Sequence, residues 1–364
     1  MPLPDALQTT LVPLSSEASS AAQLSWLLIG GATVLFVVVM GLAWMAIRSR
    51  PPWLAGERAV IAGGVVVPIV LLTLLLVYTT YQGAALARDG AAALRVEVIG
   101  HQWWWRVRYL DANGSLDFET ANEIRLPVGQ RVELALRSAD VLHSFWVPNL
   151  AGKLDMIPGR TNRLTVTPQV AAIARGQCAE YCGDSHAVMR FRIIALEPKE
   201  FAEWLEQQTQ LARNVTPRAA DANRPTPQFA SLRTFHQNEA GITEKFDVNP
   251  LEAWRAKQLP EKNEDAALIA QGKTLFASKA CSTCHTVRGH QAMGVQGPDL
   301  THVGSRSTIA AGLIENNSDQ LRRWIRDPGS VKPGNKMAKA YNDLKITLSN
   351  EEQAALVAYL ESLK

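Results

Sequence analysis

The chain has 364 residues, room for two or three domains of ordinary size. Lysine and arginine number 37 against 34 aspartates and glutamates, a net charge of +3 that leaves no basic excess for a nucleic-acid partner. Hydrophobic residues make up an ordinary 47%, but they are unevenly distributed.

Two runs stand out, LSWLLIGGATVLFVVVMGLAWMAI at 24–47 and AVIAGGVVVPIVLLTLLLVYTTY at 59–81, and neither contains a charge. Each is long enough to cross a hydrocarbon core of ~30 Å, which takes about 20 apolar residues. Pro68 is tolerable there because neighbouring groups can satisfy the freed carbonyl. Trp26, Trp44 and Tyr81 near the ends suit the aromatic belts of a membrane. The connection RSRPPWLAGER carries Arg48, Arg50 and Arg58, whereas residues 1–23 carry no lysine or arginine. The positive-inside rule therefore puts the connection in the cytoplasm and both chain ends outside. The first run lacks the basic n-region and short apolar core of a signal peptide, so it reads as a retained helix. Residues 1–23 form an N-terminal segment and 24–82 a transmembrane hairpin.

From 83 to 212 the period becomes strand-like. RVEVIG, WRVRYL, EIRLP, VELALRS, RLTVTP and MRFRIIAL are alternating or β-branched, separated by DANG, PVG and IPG turns. Val132, Leu134 and Leu136 share one face, as do Met189, Phe191 and Ile193. Strands this short and this evenly spaced predict a β-sandwich or barrel, closed by the helical segment PKEFAEWLEQQTQLA. Residues 213–262 lose the pattern, with Pro217, Pro225, Pro227, Pro250 and Pro260 scattered through polar sequence, as in a linker or an arm packed on a neighbour. Residues 263–364 read as a small all-α domain. Its last helix opens on a capping box at Ser349–Glu352 and carries a stripe of Leu356, Tyr359, Leu360 and Leu363.

Two motifs carry chemistry. In QCAEYCGDSHAVM (177–189) two cysteines, a histidine and a methionine fall within a dozen residues. The topology places them outside, where disulfides form, so a disulfide, zinc and copper all compete at this point. The second motif is ACSTCH, ending at His285. C-x-x-C-H is the attachment signature of c-type haem, whereas a zinc or redox C-x-x-C would want a second ligand pair that is missing here. An electron carrier needs a sixth iron ligand, and methionine raises the potential. Met293 lies too close to His285 in sequence to cross to the other haem face, whereas Met337, in KPGNKMAKAY, has the reach. The domain resembles class I cytochrome c throughout: Gly272 and Phe276 on the first helix, CSTCH, GPDL at 297–300, a methionine loop, and a last helix with Tyr359. The resemblance implies one haem c bound covalently through Cys281 and Cys284, with His285 and Met337 axial and Pro298 supporting the histidine. His290 and His302 read as surface or propionate-side residues.

A covalent haem outside a membrane marks an electron carrier and raises the standing of copper in the first motif. Thiolate, imidazole and thioether are copper's soft donors. Two cysteines on one loop can bridge two coppers, with one terminal histidine at each; His186 supplies one, and His143 in ADVLHSFWVP or His101 the other. With DVLHSFWVP upstream, C-x-E-x-C-x-x-x-H-x-x-M at 178–189 and GHQWWW at 100–105, residues 24–205 resemble subunit II of the haem–copper oxidases. The fold implied is multidomain: a two-helix transmembrane hairpin, a cupredoxin-like Greek-key β-barrel holding binuclear copper A, and the all-α class I cytochrome c domain. The resemblance makes Cys178 and Cys182 the bridging thiolates. It puts His143 and Met189 on one copper, and His186 and the Glu180 carbonyl on the other.

The family likeness also implies a magnesium ion held by Glu180 and Asp155 at the interface with subunit I. It further implies electron entry at Trp103 and a proton path fed by Glu57, whose local sequence AGERAVIAGG departs from the family's pattern. The fused cytochrome makes the whole resemble subunit II of a caa3-type oxidase in a bacterial inner membrane, multi-pass, with both large domains on the periplasmic face. Its implied partners are subunits I and III and a donor that is a cytochrome c or a quinol-oxidising complex. Two other classes are an electron-transfer subunit of a nitrogen-oxide reductase, told apart by its membrane partner, and a copper-delivery protein, against which the covalent haem speaks.

Overall fold

The computed structural model describes residues 8–49, 52, 56–88, 91–216, 250–261 and 263–364. Arg50 of the connecting loop and Pro217, Pro225 and Pro227 lie outside the described residues.

The first long helix, α1 (Ser16–Arg48), starts ahead of the apolar run. Ser15 caps it by accepting from the Ala18 amide, and Glu17 in the first turn reaches back to the Thr167 amide at 2.9 Å. Leu14 is 3% exposed among the core residues of the β domain. The end of the helix is thus tied to the domain it carries, and part of what the sequence assigns to an N-terminal segment is helix. The second apolar run forms α2 (Glu57–Ile61), a π-helical turn (Ala62–Val66) and α3 (Val67–Arg88). Both helices are long and apolar enough to span a membrane, and their most apolar stretches are not buried within the chain.

Ten strands follow: β1 (Leu94–His101), β2 (Trp104–Leu110), β3 (Leu116–Ala121), β4 (Glu123–Pro127), β5 (Val132–Ser138), β6 (His143–Val147), β7 (Ala151–Met156), β8 (Asn162–Val166), β9 (Ala172–Cys178) and β10 (Arg190–Leu196). They make two five-stranded sheets, ordered β3-β2-β1-β5-β8 and β4-β10-β9-β6-β7, a cupredoxin-like arrangement. One parallel pair in each sheet, β1 with β5 and β4 with β10, supplies the crossovers. Val132, Leu134 and Leu136 are each 0% exposed and fill the space between the sheets. On β10 the alternation fails, because Arg192 and Ile194 on the other face are buried as well. Helix α4 (Pro198–Thr209) and the C-terminal domain pack against that side, and the Arg190 amide donates to the Ala311 carbonyl at 3.0 Å. A two-residue spacing cannot reveal a strand covered on both faces.

A short helix, α5 (Pro250–Lys257), seats Trp254 at 2% exposure in the β-domain core. The last domain is built on α6 (Ala266–Ser278) crossed by α10 (Asn350–Ser362). They meet at Gly272, where a Cβ would lie 1.9 Å from the Ala355 carbonyl oxygen, so only glycine allows this approach. The capping box at Ser349 and Glu352 forms. Helices α7 (Ser318–Arg326), α8 (Pro328–Val331) and α9 (Lys336–Asp343) complete the helical frame, with two small two-stranded ladders added to it.

Candidate metal centres

Strand β9 ends at Cys178, whose amide donates to the Met189 carbonyl at 3.0 Å, so the loop between them closes on itself at the edge of the barrel. Both cysteines are free and nearly buried, at 4% and 3% exposure, with their sulfurs 3.7 Å apart. His143, the first residue of β6, places Nδ1 3.8 Å from the Cys178 sulfur. His186 Nδ1 lies 3.6 Å and Met189 Sδ 3.8 Å from the Cys182 sulfur, and the Glu180 carbonyl lies 3.2 Å from Cys178. The structure thus gathers all six residues that the sequence nominated. Among the described residues, His143, Cys178 and Cys182 are the one group of three such side chains with ligand atoms within 4.8 Å of one another.

The donor set calls for a cation. The contact with the Cys182 sulfur holds the Cys178 thiol well below the usual thiol range against the opposing effect of burial, while the same contact and burial push Cys182 up, so the pair keeps one proton between its sulfurs. Two thiolates this close in a buried site repel unless positive charge stands between them. A soft metal bound by two thiolates, two imidazoles and a thioether fits these residues.

Asp140 is a contributor that the sequence reading passes over. Its Oδ1 is 2.8 Å from His143 Nε2, which fixes the ring with Nδ1 toward the sulfurs. Burial opposes its ionisation. Even so, hydrogen bonds from His143 and from the Gln102 and Val141 amides hold the carboxyl down at about 2. The available signal was an aspartate three residues before a candidate ligand. Gly100 is equally local, for a Cβ there would sit 2.8 Å from the His143 ring. His101, the rival ligand, is elsewhere: it stacks on Trp104 at 4.6 Å and accepts from Arg106 Nε at 3.2 Å.

The three tryptophans have separate roles. Trp105 is fully buried against Phe145 and Phe191, and Trp104 lies under the Arg106 guanidinium. Trp103 donates its indole N–H to the Cys182 carbonyl at 3.0 Å. Asp155 stands opposite Ser144 on the strand beside His143, and neither it nor Glu180 joins the ligand group through a carboxylate. Glu57 is exposed in the first turn of α2.

The second site is an apolar cleft with about 1540 Å³ of empty space, its mouth included. Cys281, Cys284, His285, Pro298 and Met337 all line it. His285 Nδ1 lies 2.9 Å from the Pro298 carbonyl, so the proton on Nδ1 is engaged and Nε2 is left as the ring's donor atom. Thiols on the rim, an anchored imidazole and a thioether in an apolar cradle fit a covalently bound haem. Met293 is 85% exposed and outside the cleft. His290 pairs with the Tyr359 hydroxyl at 2.8 Å. His302, expected at the surface or beside a propionate, is 6% exposed and faces the Gln210 carbonyl at 3.2 Å. Trp103 and Trp104 line the cleft too, so it lies on the metal-loop side of the β domain.

A family model described as the periplasmic domain of cytochrome c oxidase subunit II matches residues 113–196, and one described as cytochrome c matches residues 269–364. Cytochrome c oxidase subunit 2 of Alkalihalophilus pseudofirmus is 34% identical over 320 residues, 86% of this chain and 76% of the relative. The subunit 2 of Bacillus subtilis is 30% identical, covering 82% of this chain and 70% of its own. A crystal structure of the periplasmic domain of subunit II from Bradyrhizobium japonicum covers 33% of this chain and 95% of its own length, at 32% identity and a TM-score of 0.31. With a copper-type ligand loop on a cupredoxin-like barrel and a haem-type cleft behind it, the chain belongs to the cytochrome c oxidase subunit II family, in the form that carries a cytochrome c domain at its C-terminal end.

Proposed function

We propose that this chain is the electron-entry subunit of a caa3-type oxidase in a bacterial inner membrane, where it receives electrons at its own cytochrome domain and delivers them to the oxygen-reducing centre of subunit I. The observation that carries this reading is Trp103, which lines the haem-type cleft and is hydrogen-bonded to the Cys182 carbonyl of the metal loop. When bound, a haem c and a two-copper centre would supply one-electron storage, the two cysteine thiolates offering a soft, charge-spreading donor pair.

The remaining work falls to the chain. Cys178, Cys182, His143, His186, Met189 and the Glu180 carbonyl would hold the two coppers. Asp140 holds His143 in one tautomer, and the Pro298 carbonyl does the same for His285, which with Met337 would supply the iron's protein ligands. Cys281 and Cys284 anchor the haem at the rim of the cleft. Trp103 gives the cleft an aromatic contact with the metal loop. Asp155 and Glu180 would offer carboxylates to a magnesium ion at the interface with subunit I, with subunit III completing the assembly. Arg48 and Arg58 flank the connection between the two apolar helices, which supports a cytoplasmic connection and two outer domains. Glu57, at that same connection, is the acidic side chain available to feed proton uptake.

The test is a metal count and paramagnetic resonance spectrum of the purified complex. Two coppers in this chain beyond the copper of subunit I, one haem c, and an unpaired electron shared equally by two coppers are expected; His143→Asn should remove that signal and leave the haem c spectrum. A one-copper hyperfine pattern, or a His143→Asn spectrum like the native one, would overturn the assignment.

A further inference from the structure

The strip 331–337 of the cytochrome domain touches the surroundings of the metal loop at four points. Lys332 donates its ammonium to the Trp103 carbonyl, and its nitrogen also lies 3.4 Å from the Val188 and 3.3 Å from the Ala310 carbonyls. Ser185, in the loop between Cys182 and His186, donates its hydroxyl to the Pro333 carbonyl at 2.6 Å. Gly334, at φ +74, fits tightly: a Cβ there would be strained and would stand 3.0 Å from Asp184 Oδ2 and 3.2 Å from the Trp103 ring, so those side chains would have to give way. Lys336 reaches Asp140, the carboxylate behind His143, at 3.9 Å. The next residue is Met337, in the cleft. Asn335 makes the strip stiff by accepting from the Ala338 amide at 2.8 Å and donating to the Pro328 carbonyl at 2.8 Å.

Of these contacts, Lys332 is the unusual one. It is a lysine at 2% exposure with no carboxylate among its bonded partners, only three carbonyls drawn from both domains. Burial lowers its pKa to about 7. A group so costly to bury is ill suited to general cohesion, but its three fixed acceptors allow one alignment of the two domains.

We propose that Lys332 is a positioning residue for electron exchange between the two cofactor sites: it ties the strip 331–337 to the Trp103 backbone and so fixes the haem cleft against the copper loop. This rests on the electron route proposed above. Through Lys332 the two domains meet in one docked geometry rather than in repeated collisions of a tethered donor.

The experiment uses the intact oxidase complex with native chain, Lys332→Met and Gly334→Ala. Lys332→Met keeps the length of the side chain and removes the ammonium. Gly334→Ala changes no charge and presses a methyl on Asp184 and the Trp103 ring across the seam, so it tests the docked geometry that Lys332 is proposed to fix if the first variant does not accumulate. An electron is injected into the haem by a photoexcited ruthenium complex, and the haem and copper absorbances are followed. Both variants should keep native haem and copper spectra while exchange slows by about tenfold or more, as expected when donor and acceptor lose a fixed geometry. Their rate should also become sensitive to solvent viscosity, which a merely structural residue would not produce. Native rates without viscosity dependence in a variant that retains both cofactors would overturn the role of Lys332. A native chain that passes no electrons between its own sites would instead overturn the route itself, and the positioning role with it.

Discussion

Glu123 is where the two soluble domains share one carboxylate. It opens β4 at 0% exposure, with Oε2 on Arg125 at 2.7 Å and Oε1 accepting from the Ser307 amide and hydroxyl at 2.8 and 2.6 Å and from the Thr308 amide and hydroxyl at 2.9 and 3.2 Å. One oxygen thus serves the β domain and the other serves the cytochrome domain. In Glu123→Gln the shape survives, but one side of the new amide must present N–H groups to donors. Charge-assisted bonds contribute ~1.5–3 kcal/mol each and neutral ones ~0.5–1.5. Removing one partner of a buried ion pair costs ~3–5 kcal/mol in all. Taking ~3 kcal/mol as the share of the seam, docking weakens by about two decades. A cytochrome domain of about 100 residues that loses this support should melt about 15 °C earlier. Heating the intact complex while following the haem and copper bands separately reads this directly. In the native protein the bands should be lost together; in the variant the haem band should go first. A variant whose two bands still vanish together at the native midpoint would refute the anchoring role of Glu123.

The same carboxylate sets an acid limit. Burial opposes its ionisation, but Arg125 and the Ser307 and Thr308 donors outweigh burial and hold its pKa below the usual range. Its contribution to docking is therefore fully present above the ordinary carboxylate pKa and is lost as pH falls through the depressed value. Protease sensitivity between the domains should rise only in that acid range, and Glu123→Gln should remove the step. Gly272→Val would drive a side chain into the Ala355 carbonyl and cost ~3 kcal/mol, so the absorbance of a methionine-ligated haem should be lost while the copper resonance persists. Gly100→Ala should do the converse, because its methyl would press on the His143 ring; an unchanged copper spectrum with full occupancy would show that the ring does not need that space.

What the sequence makes legible is local. The metal loop reads directly because its cysteines, histidine and methionine lie within a dozen residues, and the C-x-x-C-H of the haem cleft for the same reason. Strands with one solvated face, such as β5, announce themselves by alternation. By contrast, β7 (AGKLDM) and β9 (AIARGQC) carry little of it, and β10 is covered on both sides. Asp140 is one aspartate in a turn until the fold aims it at His143. The seam is hidden altogether, since Glu123 and Ser307 stand 184 residues apart and Lys332 sits in KPGNK, which reads as an exposed turn.

That hidden part determines how the two sites can work together. A tether raises the frequency with which donor and acceptor meet, but it leaves their orientation open. An apolar seam would add attraction without direction, since apolar contacts slide at little cost. Here the contacts across the seam are directional: Arg106 Nη2 donates to the Val295 carbonyl at 2.6 Å, Ser185 to Pro333, Lys332 to Trp103, and Ser307 and Thr308 to Glu123. Each buried charge is less favourable than a well-packed apolar residue would be, yet each is satisfied in one register only. Shifting the cytochrome domain by a single residue would strip Glu123 Oε1 of its Ser307 and Thr308 donors and Lys332 of its Trp103 and Val188 acceptors together. The seam therefore selects one alignment by making the neighbouring ones costly, and in that alignment the haem-type cleft opens onto Trp103 beside the metal loop.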